Sequence, residues 1–153
     1  MTQAVQEQAK ANALARFGAT GPDHINCAQA VVAFALEMMD QDPDLVTIAR
    51  HFGGGIAGMG EACGAVTGAA LALGLRDYSH DVGAVEDPDP TRDLLQGLLR
   101  DFTGAFGSRR CVELTGHDLT TPEGMEIFHK SEIRERCSLY VGWVCDRIAP
   151  LLV

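Results

Sequence analysis

Five cysteines, Cys27, Cys63, Cys111, Cys137 and Cys145, hold most of this chain's capacity for chemistry. A thiolate can ligate a metal, build an iron–sulfur cluster or attack a disulfide. A thiol that does none of these packs as a small hydrophobe. The intervals between successive cysteines are 36, 48, 26 and 8 residues, with no C-x-x-C, no haem-attachment motif and no H-E-x-x-H. A shared site would therefore have to be assembled by tertiary structure. Cys137 and Cys145 are eight residues apart on one expected helix, about 12 Å in rise at ~1.5 Å per residue. If four cysteines act together, one of this pair is left out, and Cys145, nearer the chain end, is the outsider. The histidines, His24, His51, His80, His117 and His129, are scattered without metal-ligand spacing, and solvated or capping roles suit them.

Placement separates the cysteines further. Cys27 and Cys63 fall near expected helix N-termini, and Cys111 opens a short turn after Arg109 and Arg110. Free N–H groups and the positive end of the helix dipole stabilise anionic sulfur in such places and lower its pKa. Cys63 also follows a run of glycines: seven of the twenty residues in HFGGGIAGMGEACGAVTGAA, 51 to 70, are Gly. Such a loop before a helix points bare N–H groups at one spot. Phosphate is a poor occupant, because the P-loop Lys and Ser/Thr are missing and no strand precedes the loop. No nucleotide is expected. Cradling of sulfur fits better, with Gly60 and Gly64 as the closest contributors. The expectation is several positive φ angles between Gly53 and Gly64 and an N–H aimed at Cys63 or at a cluster. The alternative is that the glycines merely turn the chain between crowded helices.

The elements that must position these residues are helical. Periodicity of about 3.6 runs through nearly the whole chain, with no alternation of period two. Expected helices are 2–18; HINCAQAVVAFALEMM; a short helix DPDLVTIARHF with Asp42 as N-cap; CGAVTGAALALGL, apolar on every face and so central; PTRDLLQGLLRDFTGAF, with Leu94, Leu95, Leu98, Leu99, Phe102 and Phe106 inward; and a last helix from about Ser131 to Ile148. Gly64 and Gly68 lie on one side of the fourth and let another backbone approach. RDYSHDVGAVEDPDP, 76–90, is expected as an acidic loop, and HDLTTPEG as a turn region. The fold class is all-α, a compact single-domain helical bundle of about six helices spanning 1–153.

Composition narrows the partners. With 21 acidic and 12 basic residues the formal charge is −9, which disfavours nucleic acid and anionic lipid. The opening MTQAVQEQAKANALARF lacks the basic and apolar regions of a secretory leader. No run reaches the ~20 apolar residues of a membrane helix. The expectation is a cytoplasmic protein without membrane insertion, where structural disulfides are rare. A homodimer is compatible with the Ala- and Leu-rich helices, although nothing specifies it.

The cysteine contexts resemble a known family of redox-active proteins named for its signature, C_GCAxxG_C_C. NCAQAVV places its first cysteine at Cys27. CGAVTG, preceded by GGGIAGMGEA, matches the central motif from Cys63 to Gly68; CVELTG places the third cysteine at Cys111; and Cys137 in the last helix is the fourth. Cys145 lies outside the signature. The resemblance runs from about Cys27 to Cys137. It implies linked cysteines, a redox function and an iron–sulfur cluster, as in relatives fused to cytochrome-like segments. It also implies a link to a membrane transport system, since many members lie near transporter genes. This chain has no haem motif, so electron transfer needs an external redox partner protein. Four thiolates suit a [2Fe–2S] cluster held by Cys27, Cys63, Cys111 and Cys137. The competing readings are a metal-free thiol/disulfide protein, a structural zinc site of four cysteines and a helical interaction module with packing cysteines.

Overall fold

The computed structural model describes residues 2–83, 88–130 and 132–153. Among them the architecture is all-α, with no strand. The helices are α1 (Gln3–Gly18), α2 (Cys27–Met38), α3 (Gly64–Ser79), α4 (Pro90–Phe106), α5 (Cys111–Thr115), α6 (Pro122–Lys130) and α7 (Ile133–Ile148), with a 3-10 segment over Pro43–Phe52. No helix among the described residues is long and apolar enough to cross a membrane.

The central helix is α2, not α3. Its Ala28, Ala30, Val31, Val32, Phe34, Ala35, Leu36 and Met38 are all buried. It packs against α1, α3, α7 and the 3-10 segment. The first turn is held by a capping box. Asn26 accepts from the Gln29 N–H at 2.9 Å, and the Gln29 side chain accepts from the Asn26 N–H at 3.1 Å. The Asn26 amide also donates to the Arg50 carbonyl at 2.8 Å, tying the start of α2 to the end of the 3-10 segment.

Gly64 and Gly68 bring α3 against α2 as expected. A Cβ on Gly68 would lie 2.8 Å from Val31 Cβ and 2.9 Å from the Ala28 carbonyl. One on Gly64 would overlap the Cys27 sulfur and stand 3.0 Å from the Ala28 nitrogen. These two absent side chains set how near Cys63 can stand to Cys27. On the far side, Phe102 and Phe106 of α4 stack edge-on with Tyr140 and Trp143 of α7, with ring centroids 4.8–5.7 Å apart.

Several boundaries depart from expectation. Pro43–Phe52 begins at Asp42 and Pro43 as anticipated but winds as 3-10, and it buries only Ala49. The β-branched run Val46–Thr47–Ile48 has low α propensity, and a single buried residue gives the α form little packing return. The acidic loop starts later than residue 76, because α3 continues to Ser79. There Arg76 pairs with Asp77 and donates to Thr91 and the Leu151 carbonyl. Residues 84–87 of that loop, and Ser131 at the anticipated start of the last helix, lie outside the described residues. Leu94 is exposed rather than inward. The turn region HDLTTPEG ends inside a further helix, α6, which buries only Gly124.

Candidate functional site

Four of the five cysteines line one cavity of about 340 Å³: Cys27, Cys63, Cys111 and Cys137. Each comes from a different part of the chain. Cys27 is the first residue of α2, Cys63 the N-cap of α3, Cys111 the first residue of α5, and Cys137 lies in α7. All are free thiols. Cys145, two turns further along α7, is wholly buried in the core and does not line the cavity.

Backbone pairing sets Cys63 beside Cys111. The Cys63 N–H donates to the Arg109 carbonyl at 2.8 Å, and the Cys111 N–H to the Glu61 carbonyl at 2.7 Å. The Val112 N–H donates to the Gly60 carbonyl at 3.1 Å, completing an antiparallel bridge around Ala62 and Arg110. The two segments carry no alternating apolar pattern, so this contact leaves no signal in the sequence.

The glycine run forms a left-handed turn. Gly54, Gly55, Ile56, Ala57 and Gly58 have successive φ values of 62°, 70°, 65°, 53° and 74°. Left-handed backbone costs roughly 1–2 kcal/mol per non-Gly residue, so Ile56 and Ala57 hold real strain. Gly60 and Glu61 close the turn by donating to the Gly54 and Gly55 carbonyls at 3.0 and 2.8 Å. The Gly60 N–H is therefore occupied inside the loop, and Gly60 supports the cavity without lining it. A Cβ on Gly55 would lie 2.6 Å from Cys111 Cβ, so the turn presses directly on that cysteine.

The N–H groups expected at Cys63 face Cys27 instead. Burial pushes the Cys27 thiol up, and the N–H groups of Gly54, Ala28 and Gly64 at its sulfur pull the other way. At Cys63 burial again raises the thiol, helped by Cys27, with only the Ala65 N–H prominent among the opposing groups. Cys111 is pushed up to about 11 by burial and then by Cys27. Cys137 reaches about 12 through burial, Cys27 and Cys111, against Arg136 and Arg134. The lowered thiol pKa expected from helix N-termini is thus overturned. Desolvation of the anion outweighs a handful of N–H dipoles. The cysteines also raise one another, which reports their proximity.

No three His, Cys, Asp or Glu among the described residues are placed to hold one metal ion. The thiols surround a space rather than converge on a point. The walls between them are largely apolar: Phe17, Leu114, Leu119, Met125, Phe128 and Tyr140. Asn26, which holds α2 in place, was missed as a positioning residue, although Asn26 followed three residues later by Gln29 is a readable capping signature.

A family model described as "Putative redox-active protein (C_GCAxxG_C_C)" matches residues 25–151. The chain belongs to the C_GCAxxG_C_C family. The redox label belongs to the family's description, and the match spans every residue of the cysteine-lined cavity except Phe17 and His24. No curated protein and no solved structure matched the chain.

Proposed function

We propose that this C_GCAxxG_C_C protein carries electrons on an iron–sulfur cluster, of the [2Fe–2S] type, held by Cys27, Cys63, Cys111 and Cys137. The observation that supports the reading is the gathering of these four cysteines, from four separate elements, around one cavity. The donor set fits: four thiols with no competing carboxylate in the lining among the described residues. The spacing leaves no three donors, among the described residues, closing on one point, and a [2Fe–2S] cluster asks for only two thiolates at each iron. The spacing fits a single zinc ion bound by four cysteines less well. The N–H groups of Gly54, Gly64 and Ala65 already face Cys27 and Cys63. Donors of that kind stabilise thiolate sulfur and tune a bound centre.

When bound, the cluster would supply reversible one-electron transfer. The protein's own residues ligate it, exclude water with Phe17, Leu114 and Tyr140, and keep Cys27 in register through Asn26. In a reducing cytoplasm the electrons would pass to or from a separate redox partner protein. The runner-up, attack by a free thiolate on a disulfide, needs a thiol with a lowered pKa. With no metal bound all four are raised, which disfavours free thiolates, whereas the positive charge of iron would hold them ionised as ligands. The test is anaerobic purification followed by iron, acid-labile sulfide and zinc analysis with a visible spectrum. Iron and sulfide in equal amounts support the cluster; zinc alone or a colourless metal-free protein overturns it.

A further inference from the structure

The cavity extends beyond its cysteines, and its mouth is chemically distinct from its floor. The buried lining includes Cys63, Cys111, Leu114, Leu119 and Tyr140, whereas the exposed lining is His24, Arg50, His51, Ala57, Met125 and His129. Four of those six rim residues carry a cationic or protonatable nitrogen. No Asp or Glu among the described residues lines the cavity, although the chain has 21 of them. The Arg50 guanidinium makes no ion pair or hydrogen bond among the described residues. Its main-chain carbonyl is what anchors Asn26. His24 is oriented by its Nδ1 contact with the Phe17 carbonyl at 3.0 Å. Below the rim the walls are apolar, with Leu119 and Phe128 brought in by α6 and the turn before it.

We propose that the outer part of this cavity binds a small organic anion with an apolar body, whose negative group sits at Arg50 and the rim histidines. The size agrees: small-molecule sites run from ~300 Å³ upward and are mostly apolar with a few placed polar groups. Charge selects the class. An unpaired guanidinium in a carboxylate-free mouth attracts an oxyanion and repels an amine. The apolar walls add affinity for a hydrocarbon or aromatic body that a bare inorganic oxyanion lacks. The inference rests on the cavity being the redox site. It makes a small molecule, in addition to a protein, a reactant or effector placed beside the cysteines.

The test uses three probes of one body and different charge: benzoate, benzyl alcohol and benzylamine. They are titrated into the full-length protein with methyl-labelled Leu and Met and followed by NMR. Benzoate should shift the methyls of Leu119 and Met125 and bind at least about tenfold tighter than benzylamine, the scale of one charge-assisted hydrogen bond. Arg50→Gln should weaken benzoate by about tenfold, whereas Arg100→Gln, at an exposed position of α4, should not. Equal binding of benzoate and benzylamine, no shift at Leu119 and Met125, or an unchanged Arg50→Gln variant would overturn the proposal. Iron and sulfide are measured on the same samples. Benzoate failing on iron-loaded protein rejects the anion site alone, while benzoate binding without any iron rejects the cluster and leaves the site standing.

Discussion

At the residue scale the decisive positions are those where one atom more would displace a thiol. Gly64 is the clearest, because its absent Cβ is where the Cys27 sulfur packs. Gly64→Ala should destabilise the protein by about 1–3 kcal/mol through overpacking and should lower iron occupancy by pushing Cys27 out of register. Gly97 in α4 has open space at its Cβ position. Gly97→Ala should leave iron unchanged and stabilise by up to ~1 kcal/mol. Chemical denaturation and iron analysis on both variants check this; equal iron loss in both would show that Gly64 has no special link to the site. The importance of Gly64 was legible in CGAVTG, where two glycines four apart announce a close approach. That the approaching atom is the Cys27 sulfur was not legible, because only the packing of α2 on α3 decides it.

At the element scale the site depends on a few ties between segments that have little packing of their own. Asn26 both caps α2 and holds the Arg50 carbonyl. Asn26→Ala should cost about 1–2 kcal/mol, the worth of a good N-cap. It should also make Cys27 react faster with iodoacetamide in cluster-free protein, while Cys145 stays protected. Thermal melts and mass mapping of alkylated thiols measure both; unaltered Cys27 labelling would reduce Asn26 to an ordinary cap. The long apolar helices were readable from periodicity, since α2 and α7 bury continuous stripes and α4 buries Leu98 and Phe102 with Leu95, Leu99 and Phe106 partly covered beside them. α6 was not: PEGMEIFHK buries only Gly124, so no stripe marks it. Pro43–Phe52 showed its Asp–Pro start but not its 3-10 winding. The pairing of 60–63 with 109–112 involves too few residues to leave an alternating pattern. Three of the four cavity cysteines were placed at helix starts by sequence. Their electrostatics were misjudged, because burial cannot be read from a helix boundary.

At the scale of the whole molecule, five thiols are raised above their ordinary value of 9.0, chiefly by burial. The sign follows from linkage. A group with a raised folded pKa contributes stability that is complete below the unfolded value and is lost as pH rises. Cluster-free protein should therefore hold constant stability to about pH 8. It should then weaken steadily between about pH 9 and 12 as unfolded thiols ionise and folded ones do not. Cys145→Ala should make that decline shallower by one thiol, since burial raises Cys145 too. Urea denaturation across this pH range reads it, and a flat profile would contradict the buried, neutral thiols described here.

The gathering of Cys27, Cys63, Cys111 and Cys137 around one space, with Cys145 set apart, is the feature on which the functional reading stands. Its most direct test is iron and acid-labile sulfide per chain, measured after anaerobic purification of the wild type, the four single Cys→Ser variants and Cys145→Ala. The account predicts about two iron and two sulfide per chain in the wild type and in Cys145→Ala, with occupancy and visible absorption falling in each of the other four. A wild type without iron and sulfide, or a Cys145→Ala variant that alone loses them, would contradict it.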